Sequence, residues 1–260
     1  MAGRGSRFFR DNYRVPKPFV TIMGNPAFLI ATNSFPKADH YIFLCLQEHL
    51  KKYDIENKIK KYYSKYDIVT IDKVTQGQAC TCLLAEHLFD NQKGLFIASC
   101  DYQVIYDKEK YQTLLDDDSI DVIIWTFKIG AIKKANPNAF AYCKVKNNLV
   151  SEVVEKKTIS DNPYNDPAVV GSFTYKKSTL FTKGAKKMIQ KDIRVNNEFY
   201  VGTSINQLIA EGAKVVTFDI DKFISFGDPF ELTSLQYWEE YFDQLEDHPY
   251  KITYGYGGKK

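Results

Sequence analysis

Gly94-Leu-Phe-Ile-Ala-Ser-Cys-Asp101 decides how this chain folds. The run is apolar, of strand length, and it stops at a carboxylate. A buried strand seldom ends in Asp without a partner for the charge. That partner is either the amide of a following loop, which the Asp caps, or a hard cation that bridges phosphate oxygens. Runs of the same kind stand at 41–46, 67–74, 121–127 and 214–218, with helical periodicity between them at 48–66, 79–89, 108–115 and 199–211. Strands alternating with helices predict an α/β domain whose sheet is largely parallel, with right-handed crossovers.

The middle of the chain breaks this rhythm. Residues 140–145 and 149–154 flank the turn-prone pair Asn147-Asn148, and 168–175 is a third extended run. Together they predict a small antiparallel sub-sheet beside the parallel one. Two amphipathic helices follow at 179–191 and 233–245, the second with Thr233 as its expected cap. Its aromatic stripe, Tyr237, Trp238, Tyr241, Phe242 and Leu245, reads as core or as a dimer contact, which leaves room for a homo-oligomer. The stretch 254–260 has no periodicity and is expected to be a loosely docked end.

The chain of 260 residues is 44% hydrophobic and 15% aromatic, enough for one sizeable core. Thirty-five basic against 32 acidic residues leave +3, spread along the length, which argues against a nucleic-acid partner held by charge alone. Cys45, Cys80, Cys82, Cys100 and Cys143 all sit in apolar stretches without a Cys-x-x-Cys pair, so they read as buried thiols in a reducing compartment. No apolar run reaches membrane-spanning length, and the first residues lack the apolar segment of a secretion signal. The expectation is a cytoplasmic protein without a membrane partner.

Five short segments carry chemistry. Gly3-Arg4-Gly5-Ser6-Arg7 sets backbone amides and guanidinium groups close together, suited to a triphosphate, although a glycine pair is more often a plain turn. In Val15-Pro-Lys17-Pro-Phe19 two prolines fix the backbone around one ammonium. Thr75-Gln76-Gly77-Gln78-Ala79 lies at a strand-to-helix junction, where a Gln amide can read a base edge and Gly allows close approach. Glu155-Lys156 leaves the hairpin, and Asn197-Glu198-Phe199-Tyr200 opens a helix; each offers an acid for hydroxyls or a phosphate, and each also resembles ordinary surface. His40, His49, His87 and His248 show no ligand spacing and read as structural. There is no Gly-x-Ser-x-Gly elbow and no Walker-type Gly-Lys-Ser/Thr.

Taken in order, Gly-x-Gly-Ser-Arg, Pro-Lys-Pro, Gln-Gly-x-Ala, the strand ending in Asp, Glu-Lys and Asn-Glu-Phe-Tyr resemble the sugar-phosphate nucleotidyltransferases, or nucleotide-diphospho-sugar pyrophosphorylases. The likeness runs from residue 1 to Leu232 and looks nearest to a capsule-associated branch, through Met-Ala-Gly-Arg-Gly-Ser-Arg-Phe at 1–8 and Glu-Lys-Lys-Thr-Ile-Ser-Asp at 155–161. It implies a three-layer α/β/α, Rossmann-like fold with a mixed, mainly parallel sheet: a nucleotidyltransferase domain over 1–232, with a C-terminal helix and tail, 233–260, packed on it. It further implies a cytoplasmic, Mg²⁺-dependent enzyme of the nucleotidyltransferase class. Such an enzyme moves a nucleoside monophosphate from CTP, UTP or dTTP onto a small phosphorylated acceptor, here a sugar phosphate for surface-polysaccharide synthesis.

By motif, Gly3, Arg4, Gly5 and Ser6 would cradle the triphosphate, with Arg7 and Lys17 as the catalytic cations. Gln76 and Gly77 would bind the base, Asp101 would hold Mg²⁺, and Glu155, Lys156, Gly171 and Glu198 would line the acceptor pocket. Two departures stand out. In most relatives an apolar strand precedes the glycine loop, whereas here that strand is either upstream of Met1 or replaced. The closing Gly-Thr-Pro motif reads Gly227-Asp228-Pro229, so the second metal carboxylate falls to Asp219, Asp221 or Asp228, with Asp221 the first choice. Two other readings stay open: a CTP-dependent cytidylyltransferase for a non-sugar phospho-acceptor of the phosphocholine or phospho-amino-acid type, and a non-catalytic nucleotide-binding domain.

Overall fold

A computed structural model describes residues 3, 15–131 and 136–245. A small hairpin, β1 (Thr21–Ile22) and β2 (Asn25–Pro26), leads into α1 (Ala27–Asn33). The strands β3 (Tyr41–Leu46) and β4 (Tyr66–Ile71) then form a parallel pair in unbroken register, joined by α2 (Gln47–Tyr53) and α3 (Ile55–Lys60). The 48–66 segment is therefore two short helices, not one. Asp54 breaks it at φ 51°, a left-handed conformation that ends a helix. After β4 come α4 (Gln78–Leu83), β5 (Leu95–Ile97), β6 (Tyr102–Ile105), α5 (Lys108–Asp116) and β7 (Val122–Phe127). The expected helix over 79–89 is only the six residues of α4, followed by a separate single turn at Glu86–Leu88.

The antiparallel excursion is present as β8 (Ala141–Lys146) and β9 (Leu149–Glu155), a hairpin turned by Asn147 and Asn148 at φ 52° and 63°. The next strand, β10 (Ala168–Tyr175), enters the middle of the main sheet, antiparallel to β7 on one side and to β5 on the other. Beyond it lie α6 (Ser178–Gln190), α7 (Val201–Ile209), β11 (Val215–Asp219), β12 (Lys222–Ser225) and α8 (Pro229–Asp243). The main sheet has the order β11-β7-β10-β8-β9, with β5 also on β10. Since β11 is parallel to β7, and β5 and β7 both oppose β10, the strands β5, β7 and β11 point the same way. Asp39 pairs with Lys93 at the start of β3 and β5, and Cys100, just past β5, packs against the cluster that holds Cys45 near the end of β3, so β3 and β4 share that direction. The fold is thus mixed α/β, with mostly co-directional strands and small antiparallel additions.

The period of β7 divides the core in two. Ile123, Trp125 and Phe127 join one cluster with Ala27 and Ala31 of α1, Tyr111 of α5 and Leu232 of α8. Val122 and Ile124 join the other with Phe181, Ala185 and Met188 of α6 and Ile205 and Leu208 of α7. All six β7 residues are buried, as a strand covered on both faces must be. Helix, sheet, helix is the three-layer arrangement expected.

At the C-terminal end the expectation needs two corrections. The last helix begins at Pro229, and Asp228 rather than Thr233 caps it: the Asp228 side chain takes the Glu231 amide while Glu231 takes the Asp228 amide. This reciprocal box satisfies two amides that would otherwise be orphaned. The aromatic stripe is not core, because Tyr237, Trp238 and Tyr241, like Phe230, are exposed, and the stripe's rings meet edge to face within the helix, Tyr237 on Trp238, Trp238 on Tyr241 and Tyr241 on Phe242. Cys45 and Cys143 are buried and the other three thiols half-buried, all free. Burial pushes the Cys45 thiol up to about 11, which keeps it unreactive. No helix among the described residues is long and apolar enough to cross a membrane.

Candidate active site

The ends of β5, β7 and β11 and the start of β10 meet at one edge of the sheet, since Ala168 pairs with Phe127 and Asp219 with Thr126. In open α/β sheets, ligands bind beyond the carboxyl ends of the strands, and this edge holds most of the predicted site. Asp101 stands just past β5. Its Oδ2 accepts from Lys17 Nζ at 2.5 Å, and its Oδ1 accepts from Ser99 Oγ at 2.5 Å. Lys17 is delivered by a single turn, Lys17–Phe19, seated between Pro16 and Pro18, with Phe19 donating to the Pro16 carbonyl at 2.8 Å. Burial pushes the Asp101 carboxyl up, but the Lys17 charge and the hydrogen bonds from Lys17 and Ser99 outweigh it and hold the group below the usual carboxylate range. Two residues 84 apart in sequence thus share one ion pair at the rim.

The carboxylate beside Asp101 is not Asp221. The ladder between β6 and β12 sets Ser225 opposite Tyr102 and Lys222 opposite Ile105, and Phe226 donates to the Asp101 carbonyl. Asp221 lies five positions back along that ribbon, roughly 16 Å away at the usual strand rise. It therefore does not share a cation with Asp101. Glu231 comes nearer. A Cβ built on Gly227 would stand 3.4 Å from both Asp101 Oδ2 and Glu231 Oε2. Glu231 Oε2 also accepts from Ser225 Oγ at 2.6 Å and from the Gly227 amide at 3.1 Å. Asp219, a third option, accepts a hydrogen bond from Thr126, and Asp228 is used by its helix cap.

On the opposite wall, Glu155 ends β9 with its carboxyl over the first turn of α7, where a Cβ on Gly202 would meet its Oε1 at 2.5 Å. Burial pushes this carboxyl up to about 7, and the charge of Lys156 only partly opposes the shift. Lys156 donates to the Ala139 carbonyl and lies 5.8 Å over the Tyr200 ring. Glu198 and Glu155 both act on Tyr200, whose hydroxyl is pushed up first by burial and then by these acids. Glu155, Lys156 and Glu198 are therefore neighbours. Gly171, at φ 98° in a bulge of β10, faces the Tyr102 ring, and Tyr102 follows Asp101 directly.

Gln76 and Gly77 form the third side. The Phe199 amide donates to the Gln76 carbonyl at 2.9 Å, and the Ala79 amide donates to the Phe199 carbonyl at 3.0 Å. Gly77 has φ 134°, and a Cβ there would lie 2.5 Å from both N and O of Phe199. The close approach that requires glycine is thus made by the protein's own backbone. Of the glycine-arginine loop, Arg4, Gly5, Ser6 and Arg7 lie outside the described residues, and a Cβ on Gly3 would meet open space. Sequence reasoning missed Ser99 and Glu231; only Asp228-x-x-Glu231 carried a signal, and it reads first as a helix cap.

The backbone as a whole superposes on solved nucleotidyltransferases. A nucleoside-diphosphate-sugar pyrophosphorylase from Vibrio cholerae RC9 matches with a TM-score of 0.74 at 20% identity, over 90% of this chain and 97% of that one. This chain has the nucleotidyltransferase fold. The inositol-1-phosphate CTP transferase of T. maritima is similar over 95% of both chains, with a TM-score of 0.70 at 14% identity. A putative glucose-1-phosphate thymidylyltransferase from Bacillus anthracis gives 0.69 at 16%, over 91% of this chain and 92% of that one. No protein-family model and no curated protein matches the sequence.

On this nucleotidyltransferase fold, the carboxylates suit magnesium. Mg²⁺ binds through one or two carboxylates plus substrate phosphates rather than in an all-protein cage. Asp101 is ionised and at the rim, Glu231 Oε2 and Asp101 Oδ2 both lie beside Gly227, and no group of three metal-ligating side chains occurs among the described residues.

Proposed function

We propose that this protein is an Mg²⁺-dependent nucleotidyltransferase that moves a nucleoside monophosphate from an NTP to a sugar phosphate and releases pyrophosphate. The observation that carries the reading is the Lys17–Asp101 pair at the carboxyl edge of the sheet. A cation and an ionised carboxylate within 2.5 Å of each other are what a polyphosphate with a bound metal would separate and engage together. In the reaction, an oxygen of the acceptor phosphate attacks the α-phosphorus, the bond to the β-phosphate oxygen breaks, and pyrophosphate leaves with that electron pair. The acceptor phosphate is already anionic, so no general base is required. Magnesium, held by Asp101, would neutralise charge on the phosphates.

The chain's own part is placement and charge. Lys17, released from Asp101, would meet the α-phosphate or the departing oxygens, with Arg7 as its expected companion in the 3–7 loop. Gln76 would face the base, and Glu155, Lys156, Gly171 and Glu198 would hold the acceptor. A capsule or surface-polysaccharide role in the cytoplasm extends this reading, on the resemblance at residues 1–8 and 155–161.

The test is pyrophosphate release over four NTPs and a panel of sugar and non-sugar phosphates; no release for any pair would leave only a nucleotide-binding domain. A second reading is CTP-dependent transfer to a non-sugar phosphate, a chemistry named for one protein of the same fold, the inositol-1-phosphate CTP transferase. Preference for CTP with a cyclitol or amine phosphate would select it.

A further inference from the structure

Arg194 has no place in the reading above, yet it is among the most firmly held exposed side chains of the site. It lies in the turn after α6, where Asp192, Asn196 and Asn197 all take positive φ. Its Nε donates to Asp192 Oδ1 at 2.5 Å, its Nη1 to the Asn197 carbonyl at 3.4 Å, and its Nη2 to Gln76 Oε1 at 2.9 Å. The guanidinium lies 4.1 Å over the ring of Phe199, which is buried and bonded through its own backbone to Gln76 and Ala79. Stacking and three hydrogen bonds fix the group in the plane it needs.

A guanidinium can only donate. The Gln76 side-chain atom facing it must therefore be the carbonyl oxygen, which turns the amide nitrogen outward with its two N–H donors. No described residue accepts from that nitrogen. Without Arg194 the amide could rotate by half a turn and offer either an acceptor or donors; with it, only donors face the cleft.

We propose that Arg194 is a positioning residue that locks Gln76 as a hydrogen-bond donor toward the nucleobase, so that the site selects a base with an exocyclic keto oxygen over its amino counterpart. UTP or dTTP is then preferred to CTP, and GTP to ATP. This rests on the reading that Gln76 faces the base. A keto oxygen accepts from the amide, whereas an exocyclic amino group would point donors at donors. One hydrogen bond gained rather than lost corresponds to about tenfold or more in affinity.

The experiment is equilibrium binding of each of the four NTPs, with Mg²⁺ and without acceptor, to the full chain and to three variants, together with a separate assay of pyrophosphate release from each NTP when the panel of sugar and non-sugar phosphates is added. The wild type is expected to favour the keto base of each pair by about tenfold or more. Arg194→Met should bring the ratio within about threefold, with the loss in Kd rather than kcat, and Arg194→Lys, which still donates, should restore part of it. Gln76→Glu keeps the bond to Arg194 but presents an oxygen outward, and should reverse the preference. Melting curves identify any variant that has merely lost its fold, and for such a variant the Lys and Glu substitutions decide.

A wild type that prefers CTP or ATP, or binds all four NTPs alike, overturns the inference, as does a ratio untouched in Arg194→Met. The two claims separate cleanly. Selective binding without pyrophosphate release sinks the transferase reading and keeps this one, whereas release with selectivity indifferent to Arg194 does the reverse. Binding of no NTP at all ends both.

Discussion

At the scale of single residues, the proposed reaction rests first on Asp101 and Lys17. Asp101→Ala is expected to lower kcat for pyrophosphate release by about a hundredfold or more, as loss of a metal carboxylate should, and Lys17→Ala by a similar order. Wild-type kcat in the Asp101 variant would refute its assignment. Glu155 gives a pH prediction. Its folded pKa of about 7 lies above the ordinary 4.5, so the folded state holds a proton that the unfolded chain has released between those values. Its stabilisation is full below pH 4.5 and is lost as pH rises through 7, by about 1–3 kcal/mol. Glu155→Gln should therefore raise Tm at pH 8 but hardly at pH 4.5; equal effects at both would contradict the buried carboxyl. Asp101 was legible in the sequence because an apolar run stopped on it. Glu231 was not, because its contact with the site passes through the local fold at Ser225 and Gly227.

At the scale of elements, the junctions matter more than the interiors. Gly77→Ala must both adopt φ 134° and move the Phe199 backbone off a 2.5 Å contact. The expected cost is about 2 kcal/mol or more, visible as a lower Tm and weaker nucleotide binding together. Asp228→Ala removes half of the cap on α8 and should cost about 1 kcal/mol, with kcat impaired as well if Glu231 loses its place beside Asp101. Chemical denaturation of both variants measures these costs. Strand positions were readable from apolar runs bounded by polar turns. The break of the 48–66 helix was not, because a left-handed Asp54 leaves no mark in the apolar spacing, and the β6–β12 ribbon was hidden because four-residue strands lack a measurable period.

For the whole molecule, the alternation of strand and helix was enough to predict three layers, and the period-two pattern of β7 confirms why: each face needs its own cover of helices. What the sequence could not supply was the central position of β10, a pairing between segments more than seventy residues apart that no local pattern encodes. Ligand linkage offers a test at this scale. A product nucleotide-sugar at a hundred times its Kd should stabilise the fold by about 2.7 kcal/mol, which calorimetry would record as a rise of several degrees in Tm. An unchanged Tm with every nucleotide tested would mean that no such site exists.

One feature of the cleft bears on how such an enzyme could be re-engineered. Phe199 is stitched to Gln76 and Ala79 main chain to main chain, so exchanging side chains there does not undo the seam. On the proposed reading, the wall that would meet the nucleotide and the wall that would meet the acceptor then travel as one piece, and a designer can rewrite letters at 76 and 194 while the frame between them keeps its shape.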